Sequence, residues 1–243
     1  MFEAYYKDGI SMAATDKKSY DYLFTEVSRL LAPSKSRKSA VRDKPANSIS
    51  PSIVGGCKRR LYLEYISEER EEIVPDLEGW PRLQIGHLIH AFAQAAVKMA
   101  VREEGKHECW TEALIKKPPF YGFADLVLAS FSGKPWAVCD IKSMRSYAWK
   151  DCHTPYENAR FQVAAYMRAF DVRHGSILHI NVETGASKEF LSDNWLHTVA
   201  DKLTQRIKYV RGTARNRLIP PPTRSKFGCT YCPFPSLCKE IGG

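Results

Sequence analysis

Hydrophobic and polar positions change period along the chain, and the changes mark out the elements. Residues 16–31 (DKKSYDYLFTEVSRLL) place Tyr20, Leu23, Phe24, Val27, Leu30 and Leu31 at helical spacing behind Asp16 as cap. Ser50-Pro51 is a helix-start signal, and the helix that follows is expected to hold Cys57 and then Lys58 to Tyr65. The acidic stretch EEREEIVPDLEG, with Pro75 and Gly79, reads as a loop. Residues 81–104 form the clearest helix, with Leu83, Ile85, Leu88, Ile89, Phe92, Ala96 and Met99 making it apolar over much of its surface. Glu112, in WTEALIKK, stands where a sheet begins. Two apolar runs then follow, Ala124–Leu128 and Trp136–Ile141, joined by Ser132-Gly133 as a β-hairpin. A polar, aromatic-studded loop (144–159) leads into a helix over Tyr156–Asp171. Ser176–Glu183 and Ser187–Leu191 pair about Thr184-Gly185, and Asn194–Arg215 is an amphipathic helix. Strands mixed with helices make this an α/β chain.

The first hairpin carries one aspartate in each apolar run. With the turn centred on Ser132-Gly133, Asp125 faces Asp140 across the ribbon, because both lie equally far from it. Opposed carboxylates repel. Alternation along the strand puts Lys142 on the face of Asp140. Two carboxylates and an ammonium converging on an apolar sheet make a place for a hard divalent cation, which takes one or two carboxylates and leaves positions for water and phosphate. His90 lies on the long helix, where a lone histidine is ordinarily a hydrogen-bonded core residue and becomes a ligand only if a metal lies nearby. Gln162 and Tyr166, four apart, share a helix face.

Composition changes the picture in two respects. The 243 residues, 44% hydrophobic and 26% charged, carry a net charge of +9 and a pI near 9.2, which favours a polyanionic partner, nucleic acid before membrane. The basic run at 33–45, with five Lys/Arg and one Asp, reads as a solvated linker, the alternative being a segment that orders on phosphate. Lys202, Arg206, Lys208, Arg211, Arg215 and Arg217, in or just after the last turns of the 194–215 helix, are equally a solvated face or a phosphate contact. With no apolar run near eighteen residues and no leader-like N-terminus, a cytoplasmic location and no membrane partner are expected. Seven cysteines then point to metal rather than disulfides. Cys229, Cys232 and Cys238, spaced C-x2-C-x5-C, leave one thiolate position open. Cys57 is the natural fourth, and a triplet plus a distant cysteine favours an iron–sulfur cluster, here [4Fe-4S], over zinc. Such a clasp closes a long loop and constrains the unfolded chain.

Taken together, Gly86-x3-His90, Asp125, Asp140-Ile141-Lys142, Gln162-x3-Tyr166 and Cys57…Cys229-x2-Cys232-x5-Cys238 resemble the PD-(D/E)xK nucleases, and within them the RecB-type and CRISPR-associated exonuclease branch with an iron–sulfur staple. The resemblance spans roughly residues 50–240, and five motifs in order are far more specific than any one. It implies a restriction-endonuclease-like core, a mixed sheet flanked by helices, over residues 50–243. Residues 1–49 would form an N-terminal helix and basic linker. It also implies His90, Asp125, Asp140 and the Ile141 carbonyl as ligands of Mg²⁺ or Mn²⁺, Lys142 as catalytic lysine, and Gln162 and Tyr166 as substrate-orienting residues. The chain departs from the pattern twice: Gln94 stands where an acid often follows the histidine, and Ala124-Asp125 replaces Pro-Asp. The expected activity is metal-dependent DNA exonuclease action in recombination, repair or viral or CRISPR processing, with a recombination or helicase protein as a possible partner. Tyr147, Trp149 and Tyr156 are candidates for stacking on single-stranded DNA. The rival readings are a non-catalytic nucleic-acid-binding module with a structural cysteine cluster, and an endonuclease or nickase of the same fold.

Overall fold

The computed structural model of the chain describes residues 1–13, 17–31, 44–67, 71, 79–223 and 226–242. The Asp16 cap, the basic stretch 33–43 and most of the acidic loop at 68–79 lie outside them. Five strands form one mixed sheet in the order β1-β2-β3-β4-β5: β1 (Glu108–Lys117), β2 (Phe120–Ala129), β3 (Pro135–Met144), β4 (His174–Asn181) and β5 (Ser187–Leu191). Neighbours are antiparallel except β3 and β4, which are parallel. A parallel pair needs a long crossover, and this one contains the short helix α5 (Ser146–Lys150) and α6 (Glu157–Phe170).

Alternation along the central strands sorts the core into two layers. Leu126, Leu128, Ala137, Cys139, Ile141, Leu178 and Ile180 face α4 (Gly79–Glu104) through its Ala93, Ala96 and Val97. Val127, Val138 and Ile177 face the other way, onto α6 and α7 (Leu196–Arg215). Burial on both faces is why these runs read as continuously apolar.

Three expectations are corrected. The N-terminus has two helices, α1 (Phe2–Ala13) and α2 (Lys17–Leu31), and Phe2, Tyr6 and Leu23 pack into the α4 layer. Phe24, read as part of the apolar face, is exposed. The helix expected after Pro51 is broken: a 3₁₀ turn covers Pro51–Ile53, and α3 (Lys58–Ile66) starts afresh with Cys57 at its N-cap position. Inside the break the backbone runs so close to the start of α6 that a Cβ on Gly55 would stand 2.9 Å from Asn158 Cα. The front of α4 is not core, with Leu83, Ile85 and Leu88 all exposed. At 26 residues α4 is about 39 Å long, and its buried run begins at Ala91.

The C-terminal segment, with α8 (Lys226–Thr230) and α9 (Pro235–Glu240), returns to α3. Phe234 is buried against Tyr62 and Leu63, with Cys232, Leu237 and Cys238 packed around them. Glu71 reinforces the contact, its N–H donating to the Pro233 carbonyl at 3.0 Å and its carboxylate accepting from Ser236 N at 2.8 Å.

Candidate active site

The site lies where the sheet splits. The β2–β3 ladder runs in one register from Leu128↔Ala137 to Leu126↔Cys139 and stops there, so the next opposed pair is Asp125 and Asp140. Beyond that point the side chain of Asp125 replaces the ladder: its Oδ2 accepts the Ile141 backbone N–H at 2.8 Å. His90 reaches the same oxygen from α4, with Nδ1 at 3.5 Å. Among the described residues, no three or more His, Cys, Asp or Glu side chains are already disposed around one metal position.

Asp140 is fully buried. Its Oδ1 accepts from Lys142 Nζ at 2.9 Å, while Oδ2, 2.7 Å from the same ammonium, has no aligned donor. Burial pushes the Asp140 pKa up to about 7, with Asp125 adding to the rise and Lys142 and the Tyr166 hydroxyl opposing it. Burial alone would favour a neutral Lys142, but Asp140 and Asp125 outweigh it and hold its pKa above the ordinary lysine value. From α6, Gln162 Oε1 accepts from Lys142 Nζ at 3.2 Å and Nε2 donates to Tyr166 Oη at 2.6 Å. Helical spacing and strand alternation thus bring buried Asp140, Gln162 and Tyr166 and the partly exposed Lys142 into one chain of contacts.

Two side chains not singled out as site residues complete it. Gln94, buried on α4, donates through Nε2 to the Asp125 carbonyl and to Glu112 Oε1, each at 3.1 Å. The signal for Glu112 was an acid at the centre of an otherwise half-apolar strand. A second pair, Cys152 and His179, had no sequence signal. Cys152 Sγ lies 3.2 Å from His179 Nδ1, and His179 is the β4 partner of Lys142.

The outer candidates divide. Tyr147 and Tyr156 are exposed, whereas Trp149 has Lys188 Nζ over its ring at 4.5 Å. Arg206 is structural rather than a free phosphate contact: its guanidinium donates to the carbonyls of Val54 and Gly56 and lies over the Phe161 ring. Lys208, Arg211, Arg215 and Arg217 are exposed.

Cys57, Cys229, Cys232 and Cys238 line one cavity of about 360 Å³, together with Lys58, Arg59, Arg60 and Arg206. Burial raises the Cys57 thiol pKa, but the backbone N–H groups of Arg60, Thr223 and Arg59 outweigh it and hold the value below normal. Burial pushes Cys232 up, against the Phe234 N–H and Arg60. Arg59, itself buried, donates to the carbonyls of Pro220 and Cys238.

Residues 119–239, about half of the chain, match the family model of the PD-(D/E)XK nuclease superfamily. Among solved structures, an alkaline exonuclease (LHK-Exo) from Laribacter hongkongensis is similar at a TM-score of 0.51 and 10% identity, covering 74% of this chain and 94% of its own. The crystal structure of SSO0001 is similar at a TM-score of 0.45 and 18% identity, covering 92% and 96%. No curated protein sequence matches.

Proposed function

With residues 119–239 belonging to the PD-(D/E)XK nuclease superfamily, we propose that this chain is a Mg²⁺- or Mn²⁺-dependent exonuclease acting on DNA ends or single strands. The observation that carries the reading is the split in the sheet. A buried Asp140, with one oxygen lacking an aligned donor, stands beside an Asp125 whose carboxylate touches both His90 and the Ile141 backbone. Such a mixed O/N set fits a hard divalent cation, the imidazole tilting it towards Mn²⁺. His90, Asp125, Asp140 and the Ile141 carbonyl would hold the ion. When bound, it supplies charge neutralisation at the phosphodiester and a lowered pKa for a water.

The chain's own residues do the rest. Lys142, held charged by the two aspartates, stabilises the negative charge that develops on the phosphorane oxygens or, once its partners are occupied, takes a proton from the attacking water. Gln162 fixes Lys142 through its carbonyl and Tyr166 through its amide, so the ammonium has one direction to point. Tyr147 and Tyr156 offer open rings for base stacking, and the exposed cations of α7 offer phosphate contacts.

The four cysteines are proposed to hold a [4Fe-4S] cluster. Thiolates need N–H donors and nearby cations, and both surround the Cys57 cavity. The exonuclease mode, cytoplasmic location and association with a recombination or helicase protein in DNA recombination or repair belong to the same reading, the first in keeping with the alkaline exonuclease neighbour. The test is digestion of linear, end-blocked and closed-circular DNA in Mg²⁺ or Mn²⁺ by wild type and Asp140→Asn. Loss of linear DNA only, blocked by end protection and abolished by the substitution, is the expected result. Cutting of closed circles would make it an endonuclease or nickase. Binding without cutting would make it a non-catalytic nucleic-acid-binding module.

A further inference from the structure

Asp125 occupies an unusual place in the sheet. The β2–β3 ladder ends one residue short of it on one side. On the other, the β1–β2 ladder passes from Thr111↔Leu126 to Ala113↔Ala124 and skips the Glu112–Asp125 pair. Glu112 carries the backbone irregularity at that pair. Its φ is +50°, a left-handed conformation that costs a residue with a Cβ roughly 1–2 kcal/mol. The strand changes parity there: Trp110 before it and Ala113 and Ile115 after it all pack on the α6 layer, which strict alternation would forbid. A kink of this kind in the middle of a strand re-aims a side chain, and this one brings the Glu112 carboxylate to Gln94.

Gln94 then makes the contact that the sheet does not. Its amide donates to the Asp125 backbone carbonyl and to Glu112 Oε1, and it is 1% exposed. Glu112 also adds its charge to the field that raises the Tyr166 pKa, after burial and the two aspartates. It is therefore within electrostatic reach of the catalytic cluster from an edge strand.

We propose that Glu112 is a positioning residue for the cation-binding Asp125, acting through the Gln94 amide that clamps the Asp125 backbone. The proposal rests on the nuclease reading above. Groups that orient a metal ligand commonly alter affinity 10–100-fold when removed. In Mn²⁺ titration calorimetry without DNA, Glu112→Ala and Gln94→Ala are each expected to weaken binding about 10-fold or more. The double variant should be no weaker than the worse single one, because both cut the same link. Glu112→Gln keeps an acceptor for Gln94 and should restore binding to within about threefold of wild type, a rescue that a charge-only role would not give. Circular dichroism and thermal melts select folded variants, and Glu112→Asp replaces the alanine variant if that one does not fold. Unchanged Mn²⁺ affinity in Glu112→Ala, or additive losses in the double variant, would overturn the proposal. Asp125→Ala separates the two levels. If it abolishes Mn²⁺ binding while Glu112→Ala changes nothing, only the Glu112 assignment fails; if it leaves Mn²⁺ binding intact, the metal site fails and the assignment with it.

Discussion

A fully buried carboxylate is expensive alone, and here a partly exposed ammonium holds Asp140. Removing Lys142 leaves a fully buried Asp140 without its counter-charge; because the Lys142 side chain is 34% exposed and water screens the pair, the cost is about 1–3 kcal/mol. Lys142→Ala is therefore expected to lower the denaturation midpoint as well as abolish activity, whereas Asp140→Asn with Lys142→Gln should recover part of the stability but no activity. Urea unfolding read beside hydrolysis separates the two effects. His179 gives a pH dependence of its own. Burial, with Lys142 and Lys188 adding to it, depresses its pKa from 6.5 to about 4, so the folded state keeps it neutral while the unfolded state takes up a proton below about pH 6.5. Its contribution, about 3 kcal/mol, is fully present above the unfolded value and lost as the pH falls towards 4. In urea melts at pH 7 and pH 5, wild type should lose more stability than His179→Gln. Equal losses would remove His179 from the account.

At the scale of elements, the hairpin and its register were legible because period-2 alternation and a Gly-containing turn are local signals. Equal distance from the turn placed Asp125 against Asp140 before any fold was known, and alternation placed Lys142 beside Asp140. The splitting of the sheet was not legible, since there side chains, Asp125 on the Ile141 N–H and Gln94 on the Asp125 carbonyl, stand in for ladder hydrogen bonds. The break after Pro51 was not legible either, and at it Gly55 packs against Asn158, a close approach between residues about a hundred apart in the chain that no local pattern encodes. Another element depends on such an approach. A Cβ on Gly175 at the start of β4 would stand 2.7 Å from Val163 Cγ1 and 2.6 Å from Met167 Sδ of α6, the helix that carries Gln162 and Tyr166. Gly175→Ala should destabilise the protein by about 1–3 kcal/mol and slow hydrolysis by shifting α6 off the sheet. An unchanged melting temperature would show that α6 yields freely.

Over the whole molecule, residues 57–67 and 71 meet 229–241 through the Phe234–Tyr62–Leu63 contact, the hydrogen bonds of Arg59 and Glu71, and the cysteine-lined cavity. The cysteine spacing pointed to the four residues that line the cavity; the other contacts depend on a return of the chain that no local pattern encodes. Anaerobically purified protein is expected to be brown, with iron and acid-labile sulfide in cluster proportion. Cys57→Ser should remove the colour and lower Tm by roughly 5–15 °C, on the scale of a lost cross-link. Zinc without sulfide would replace the cluster and leave the nuclease reading in place.

The most direct test of that reading is single-turnover hydrolysis of an end-labelled linear duplex in Mn²⁺, with wild type beside Lys142→Gln and DNA binding measured in parallel in Ca²⁺. Rapid release of labelled nucleotides by wild type, slowed at least about 100-fold by the substitution while binding persists, is the predicted result. Equal rates for the two proteins, or no hydrolysis by wild type, would contradict it.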